Sequence, residues 1–321
     1  MVADAFCLAW DVTTAGGAVA ERQGPRGMLV GTNDGSVVVL SAAGAETRRI
    51  RTGERQRVTA LCWLAGDDDD SGEPLLLVGD AGGRLSIFSV SDGRRAGQWP
   101  PCSSAVVGIT VGREACAGGR RLIVLADHDG TIHVGLVRGR LWQTRVADRP
   151  SAGLTPAGHG RVHAVLAARL SDAHGAPTET VLVLDATPAL VFVVVDTPVL
   201  ALPLPEQCTD MCLLDDGSVC LAGRDGRLYR VHNYALHQMA DVRFESALTR
   251  VACVRGVIFL AGHFAGLRCV HADGRVAAID AGDFVRDFLV APRIPAGSGP
   301  GAFHVSMLLV SGKRTTVTWE E

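Results

Sequence analysis

The stretch PLLLVGDAGGRLSIFSVSDGRRAGQW, residues 74–99, decides the fold. It contains a nearly continuous apolar run, a Gly-Gly turn, a run in which apolar residues alternate with others, a Ser-Asp-Gly turn and a final short segment. Apolar runs of about four to eight residues between turn residues are typical of β-strands. The stretch therefore predicts three antiparallel strands joined by two tight turns.

The first half of this stretch recurs along the chain. Seven segments share its order of apolar strand, small residue, turn and second strand. The turn glycines Gly35, Gly83 and Gly130 are 48 and 47 residues apart, and Gly226 follows Gly130 by 96. A hairpin repeated with a period in the forties is the signature of β-propeller blades. The seven segments are LVGTNDGSVVVL (29–40), LVGDAGGRLSIF (77–88), VLADHDGTIHVG (124–135), LVLDATPALVFV (182–193), CLAGRDGRLYRV (220–231), FLAGHFAGLRCV (259–270) and LLVSGKRTTVTW (308–319).

Each hairpin has a strand pattern on both sides. Residues 58–63 illustrate the upstream strand and residues 46–50 the downstream strand, so each unit has four strands. Seven units in 321 residues give about 46 residues each, the length of a propeller blade. We therefore predict an all-β protein with one domain, residues 1–321. It is a single β-propeller of seven blades with four antiparallel strands each. The pattern of the last blade stops after its third strand, so either this blade has three strands or a partner or further sequence closes it.

At the level of pattern, nearly the whole chain resembles the WD-repeat family. Residues 74–90 match best, with Phe88-Ser89 where the family has Trp-Asp, and Gly158-His159 resembles the family's Gly-His pair. The resemblance implies a non-catalytic protein–protein interaction scaffold, a subunit of a multiprotein complex. It also implies that loops between blades and turns between second and third strands share one face of the ring.

Composition narrows the classes of partner and location. A net charge of −3 gives no general attraction to nucleic acid, and we expect none as a partner. The nine cysteines occur singly, which is typical of proteins in a reducing compartment. We therefore expect an intracellular, cytoplasmic location, and a nuclear location is also compatible. The N-terminus has no signal-peptide pattern. The longest apolar tract, residues 181–204, contains two aspartates and three prolines, so we expect no membrane span.

Basic residues are predicted to gather on the face that carries the loops between blades. An Arg-rich face could bind an acidic or phosphorylated partner. Solvated loops with no ligand are the alternative. The acidic run of residues 67–70 is predicted on the opposite face. The basic residues are Arg48, Arg49, Arg51, Arg55, Arg57, Arg224 and His263, with Lys313 and Arg314 in the last turn of this kind.

Two apolar features are further candidates for partner binding. Phe264 occupies a turn position where other units have Asp or Gly, and an aromatic side chain at a loop tip suits a binding hot spot; packing into a neighbouring blade is the alternative. Residues 196–205 are predicted to form an outer strand that carries no charge after Asp196, whereas edge strands normally do. Its candidate contact residues are Val199, Leu200, Leu202 and Leu204, and cover by a long loop is the alternative.

No catalytic constellation is visible, and we predict no catalytic, metal or cofactor site. A zinc site built from His159, His163, Cys208 and Cys212 is disfavoured because no second pair with zinc-ligand spacing accompanies them. Three hypotheses follow. The first is the interaction scaffold. The second is an adaptor that binds acidic or phosphorylated ligands through the Arg-rich face, and the third is a metal-dependent, lactonase-like propeller hydrolase.

Overall fold

The structure is a computed structural model, and it is described for twelve segments of the chain. All of its described regular elements are β-strands. No helix in these segments is long and apolar enough to cross a membrane. The described residues are 5–11, 27–41, 45–53, 55–64, 75–99, 101–116, 120–138, 141–143, 162–171, 177–194, 200–292 and 302–320.

Five sheets contain four antiparallel strands each, arranged in chain order. The first three sheets are β1 (Ala5–Asp11), β2 (Gly27–Thr32), β3 (Ser36–Ser41), β4 (Glu46–Arg51); β5 (Val58–Leu64), β6 (Leu75–Asp80), β7 (Leu85–Ser89), β8 (Arg95–Gln98); and β9 (Val106–Cys116), β10 (Arg120–Asp127), β11 (Ile132–Arg138), β12 (Leu141–Gln143). The next two are β13 (Ala164–Ser171), β14 (Pro177–Leu184), β15 (Ala189–Val194), β16 (Leu200–Pro203); and β17 (Cys208–Leu213), β18 (Val219–Gly223), β19 (Arg227–His232), β20 (Ala235–Arg243).

The sixth sheet has six strands: β21 (Leu248–Val254), β22 (Val257–Gly262), β23 (Phe264–Val270), β24 (Val276–Pro292), β25 (Ala302–Leu309) and β26 (Arg314–Glu320). Its 17-residue strand β24 pairs with β23 through Val276–Ile279 and Phe284, and with β25 through residues from Val285 onward. The first strands of successive sheets contact one another in order, and β24 contacts both β21 and β1. This closes the chain into a ring.

The prediction of an all-β single propeller is confirmed, but the prediction of seven blades is wrong: the structure has six sheets. Residues predicted as the outer strand of the sixth unit and the first strand of a seventh form the continuous strand β24. The reason is the short connection between them. Only residues 280–283 separate the two pairing regions. Gly282 has a positive φ (+71°) and the pairing with β23 is irregular there, but the strand continues, so β25 and β26 extend the sixth sheet.

The core lies between adjacent sheets. The second strands β6 and β22 are buried at every residue, because neighbouring sheets cover both of their faces. Leu77 and Leu85 of the second sheet, for example, pack in one cluster with Leu125 of the third. This explains why the sequence of each second strand is almost continuously apolar. Aromatic side chains also pack within the sixth sheet, where the ring of Phe259 contacts the rings of Phe303 and Trp319.

Aspartates in the turns fold back on their own hairpins. Asp34 Oδ1 accepts a hydrogen bond from Ser36 N (3.0 Å), and Asp80 Oδ1 accepts from Gly82 N and Arg84 N (2.8 and 3.0 Å). These Asx-type bonds replace backbone partners that a tight turn cannot supply. Most of the turn aspartates are therefore structural.

The loops between sheets are held at both ends. Thr52, which follows β4, donates its backbone N–H to Gly35 O in the turn of the first sheet (3.3 Å). Ala81, in the turn of the second sheet, donates to Arg57 O at the other end of that loop (2.8 Å). The loop after the fifth sheet has the same two bonds, Phe244 N to Gly226 O (2.9 Å) and His263 N to Ala247 O (3.0 Å). We call the end of the ring that carries these loops and turns the turn face.

Charged side chains also join β17, β21 and β24. Asp210 on β17 accepts a hydrogen bond from Val251 N on β21 (2.9 Å) and lies 3.9 Å from Arg250 Nη1. Arg250 Nε in turn lies 3.5 Å from Asp287 Oδ1 on β24. Burial raises the pKa of Asp210, although Arg250 and the two backbone N–H groups of Val251 and Met211 oppose that effect. The group links three of the strands that form the ring.

We predict that replacing Gly226 by alanine destabilises the fold more than replacing Gly217. Both glycines have positive φ (+79° and +81°), so each substitution incurs a backbone strain of about 1 kcal/mol. A Cβ at Gly226 would lie 2.1 Å from Phe244 O, whereas a Cβ at Gly217 meets nothing within 4 Å. Urea unfolding should show a loss of at least about 2 kcal/mol for Gly226→Ala. Equal losses would contradict the role of the loop bond at Gly226.

We also predict that Asp210→Asn changes the pH dependence of stability. Because the pKa of Asp210 is raised in the folded state, the native protein binds this proton more tightly than the unfolded chain does. Wild-type stability relative to the variant should therefore fall as pH rises above the ordinary value of 3.8 through the raised pKa. Unfolding free energies measured between about pH 4 and pH 7 test this. A difference independent of pH, or one of opposite slope, would refute it.

Candidate interaction surfaces

Three of the basic residues expected on the turn face, Arg57, Arg224 and His263, have their backbone groups there. Arg57 and Ala81 share a backbone hydrogen bond there, and Arg224 N donates to Gln207 O in the equivalent position of the fifth sheet (2.9 Å). His263 occupies the same position in the sixth sheet. These residues are therefore on one face of the ring, but no described contact joins those near the first two sheets to those on the fifth and sixth.

Two of the predicted arginines are engaged within the protein. Arg48 extends from β4 to the second sheet, where its Nη1 donates to the carbonyls of Val90 and Ser91 (2.7 and 2.6 Å). Arg49 forms a two-pronged ion pair with Glu46 (both 3.0 Å) and lies 3.7 Å from Asp34. The Glu46 hydrogen bonds raise the pKa of Arg49. A ligand would have to compete with these internal contacts for either guanidinium group.

The remaining basic residues of this face differ in their surroundings. Arg51, Arg55 and Arg57 are all exposed. Within the described residues, neither Arg51 nor Arg55 has a carboxylate partner. Arg224 is exposed but its Nη1 donates to Gln207 Oε1, which holds the side chain over the adjoining loop. The exposed positive charge is thus concentrated in the loop of residues 51–57.

Phe264 begins β23 and is half-buried. Its ring lies 6.1 Å from the ring of Phe244, which belongs to the loop after the fifth sheet. The guanidinium of Arg268 lies 4.8 Å from the Phe264 ring centroid, within cation–π range. This packing helps anchor the loop between the fifth and sixth sheets and leaves part of the ring accessible on the turn face.

The predicted uncharged outer strand exists as β16, the outer strand of the fourth sheet. Leu200 is 50% exposed, Leu202 is half-buried and Leu204 is buried in the core cluster between the fourth and fifth sheets. Val199 and the acidic run of residues 67–70 lie outside the described residues. The strand therefore presents Leu200 on the rim while Leu202 and Leu204 fix its position.

The described residues contain one group of side chains with the composition of a cation site: Cys102, Asp127 and His133, whose donor atoms lie within 4.8 Å of one another. Asp127 Oδ2 accepts from Ser103 Oγ (3.1 Å) and is 3.2 Å from His133 Nε2, while Oδ1 accepts from Thr131 N (2.8 Å). Burial raises the pKa of Cys102 to about 11. A metal would have to displace these hydrogen bonds and a thiol proton.

The position of Cys102 is also set by the fold. Its backbone N–H donates to Gly83 O (2.7 Å), the bond that Thr52, Leu204 and Phe244 make in other sheets. The group is best described as a hydrogen-bond network at the junction of the second and third sheets. Sequence analysis missed it because Cys102 belongs to the loop between the second and third sheets, whereas Asp127 ends β10 and His133 lies on β11 of the third sheet. Only the folded loop brings Cys102 to this hairpin.

The zinc ligands considered from the sequence are not brought together where they are described. His163 Nε2 lies 3.3 Å from Gln207 Nε2, and Cys208 is buried with its pKa raised to about 12, chiefly by desolvation. Cys212 contacts Cys220 instead, and this hydrogen bond raises its pKa. His159 lies outside the described residues. Seven cysteines are free thiols: Cys62, Cys102, Cys208, Cys212, Cys220, Cys253 and Cys269.

Comparison with known proteins identifies the fold. No protein-family model matches the chain, and no curated protein matches it. Solved structures do match. The β-propeller domain of Cps50 (Swd1) from Myceliophteria thermophila aligns with a TM-score of 0.62 and 13% identity, covering 99% of this chain and 97% of that one. The WD40 repeats of RRP9 and the structure of U3-55K each align with a TM-score of 0.62 and 13% identity. Each alignment covers 91% of this chain, with 87% of the RRP9 chain and 88% of the U3-55K chain. The chain therefore has the fold of WD40 β-propeller domains.

Proposed function

We propose that this protein is a non-catalytic interaction scaffold that functions as a stable subunit of a multiprotein complex. The observation that carries the proposal is the absence of charge on the outer strand β16. This outer strand has no charged residue, and Leu200 is half exposed on it. Outer strands normally carry charge that prevents pairing with other chains. An uncharged rim that is rigidly held by Leu202 and Leu204 suits a permanent protein contact.

The disposition of the acidic groups supports a non-catalytic role. Turn aspartates such as Asp34 and Asp80 accept hydrogen bonds from their own hairpins. Asp210 on β17 and Asp287 on β24 flank the guanidinium of Arg250. A metal-dependent hydrolase would need converging carboxylates with free oxygen atoms. We therefore prefer the scaffold over the hydrolase.

We predict that Leu200→Asp abolishes association with the principal partner. The carboxylate would have to be desolvated in an apolar contact. Tagged wild-type and variant chains should be isolated from native lysate at low and high salt, and co-eluting proteins quantified by mass spectrometry. Val276→Asp is the matched control, since Val276 is 43% exposed on a different strand. A partner that survives high salt and is lost only with Leu200→Asp supports the proposal; a clean monomer at both salts contradicts it.

A second candidate, an adaptor for acidic ligands, is favoured by the loop of residues 51–57. Its exposed arginines lie beside a turn whose backbone is held by hydrogen bonds at both ends. Such a loop presents positive charge with little loss of conformational freedom on binding. In this reading the ligand is an acidic or phosphorylated segment of a partner.

We predict that Arg51→Glu/Arg55→Glu weakens binding of a fluorescent oligoglutamate peptide by at least about tenfold at low salt, because it reverses two charges at the site. The control is Arg94→Glu/Arg275→Glu, which reverses two exposed charges in turns at the opposite end of the strands. Equal weakening by both pairs would mean that only net charge matters, and would exclude a specific site in this loop.

A further inference from the structure

β26 is the outer strand of the six-stranded sheet, and β25 flanks it on one side. Its outer edge differs in charge from that of β4, the outer strand of the first sheet, in which four of six residues are charged (ETRRIR). No described residue pairs with the outer edge of β26. All seven of its residues are half-buried or exposed.

The register shows which backbone groups of β26 face outward. Leu309 N donates to Lys313 O (2.8 Å) and Gly312 N to Leu309 O (3.0 Å), so the hairpin closes on a hydrogen-bonded position. Hydrogen-bonded and non-hydrogen-bonded pairs alternate along an antiparallel ladder. The next hydrogen-bonded pair is Met307 with Thr315. The N–H and C=O groups of Arg314, Thr316, Thr318 and Glu320 therefore point away from β25.

This edge lacks the features that usually block strand addition. Its pairing with β25 runs through seven consecutive residue pairs without a bulge, and the strand RTTVTWE contains no proline. Its central residues are β-branched or aromatic, which suits a flat, extended edge. Charged residues stand only at its two ends.

The side chains of β26 indicate the chemistry of an occupant. Arg314 is partly buried, desolvation lowers its pKa, and within the described residues it has no ion pair. A desolvated guanidinium is stabilised by a carboxylate in fork geometry. On the other face, Val317 and Trp319 pack against the core cluster of the sixth sheet, with Trp319 5.7 Å from Phe259 and 5.6 Å from Phe303. The side chains of Val317 and Trp319 remain partly exposed to solvent.

We propose that the outer edge of β26 binds an extended segment of a partner protein, which adds to the sixth sheet as an antiparallel strand. The segment carries an acidic side chain beside Arg314 and apolar side chains beside Val317 and Trp319. Main-chain hydrogen bonds to Thr316, Thr318 and Glu320 supply affinity, and the flanking side chains supply specificity. The inference rests on the proposed role as a complex subunit, but it concerns an edge separate from β16.

The test is photo-crosslinking in the full chain. A p-benzoylphenylalanine at position 316 is activated in lysate, and the crosslinked peptide is mapped by mass spectrometry. We expect a segment of another protein with alternating apolar residues and one acidic residue. With the mapped segment as a synthetic peptide, amide exchange at Thr318 and Glu320 should slow by at least about tenfold. Crosslinks to this same chain, to a second copy, or to nothing would overturn the proposal.

Two variants separate strand addition from a nonspecific contact. Thr318→Pro removes an outward N–H without removing a bond to β25, and Thr318→Val, which retains that N–H, is its matched control. Arg314→Glu reverses the charge. We expect Thr318→Pro and Arg314→Glu each to lower the crosslink yield about tenfold and Thr318→Val to leave it unchanged. Unchanged yields with folded Thr318→Pro or Arg314→Glu would overturn the proposal.

The outcomes also distinguish this proposal from the scaffold role. A complex that depends on Leu200 but gives no crosslink from position 316 overturns only the β26 site. A crosslink that depends on Arg314, in a protein whose association is insensitive to Leu200→Asp, retains the β26 site and removes β16 as the principal contact.

Discussion

The ring depends on pairs of backbone hydrogen bonds that hold the loops after the first, second, fourth and fifth sheets. One bond ties the start of the loop to the turn of the sheet just completed, and the other ties its end to the turn of the next sheet. After the second sheet these bonds are Cys102 N to Gly83 O and His128 N to Ala105 O; after the fourth they are Leu204 N to Pro188 O and Arg224 N to Gln207 O. Because these four loops are fixed at both ends, they hold the sheets that they join side by side, and the apolar second strands pack against neighbouring sheets. The same bonds make the turn face a rigid platform.

This constraint also explains the acidic character of the turns. A carbonyl that accepts a bond from the loop must be held in place, and the turn aspartates do this by accepting the N–H groups of their own hairpins. The hydrogen bonds from Thr32 and Ser36 lower the pKa of Asp34, so it remains ionised and bonded at neutral pH. Hairpin geometry thus accounts for the aspartates of these turns.

Much of the fold was predictable from the sequence because its signals are local. Alternation, turn glycines and a period near 48 residues identified most hairpins, and strands such as β4 and β5 begin where the pattern placed them. The blade count was not predictable, because it depends on whether residues 280–283 end the strand, and the sequence Asp-Ala-Gly-Asp at these positions is typical of a turn. The roles of side chains were harder to predict from the sequence. Arg48 and Arg49 were expected to belong to an exposed basic cluster, yet Arg48 donates a hydrogen bond to the second sheet and Arg49 forms an ion pair with Glu46. The Cys102–Asp127–His133 network and the Asp210–Arg250–Asp287 group depend on contacts between sheets, for which a single sequence carries no signal.

The central claim is that the chain works as a permanent subunit of a larger assembly, and the native mass of the protein tests it most directly. Sedimentation of the endogenous protein in lysate, at low and high salt, measures that mass without tags or substitutions. The account predicts a discrete species well above the 33.7 kDa of the single chain, unchanged at high salt. A species of about that single-chain mass at both salts would contradict it.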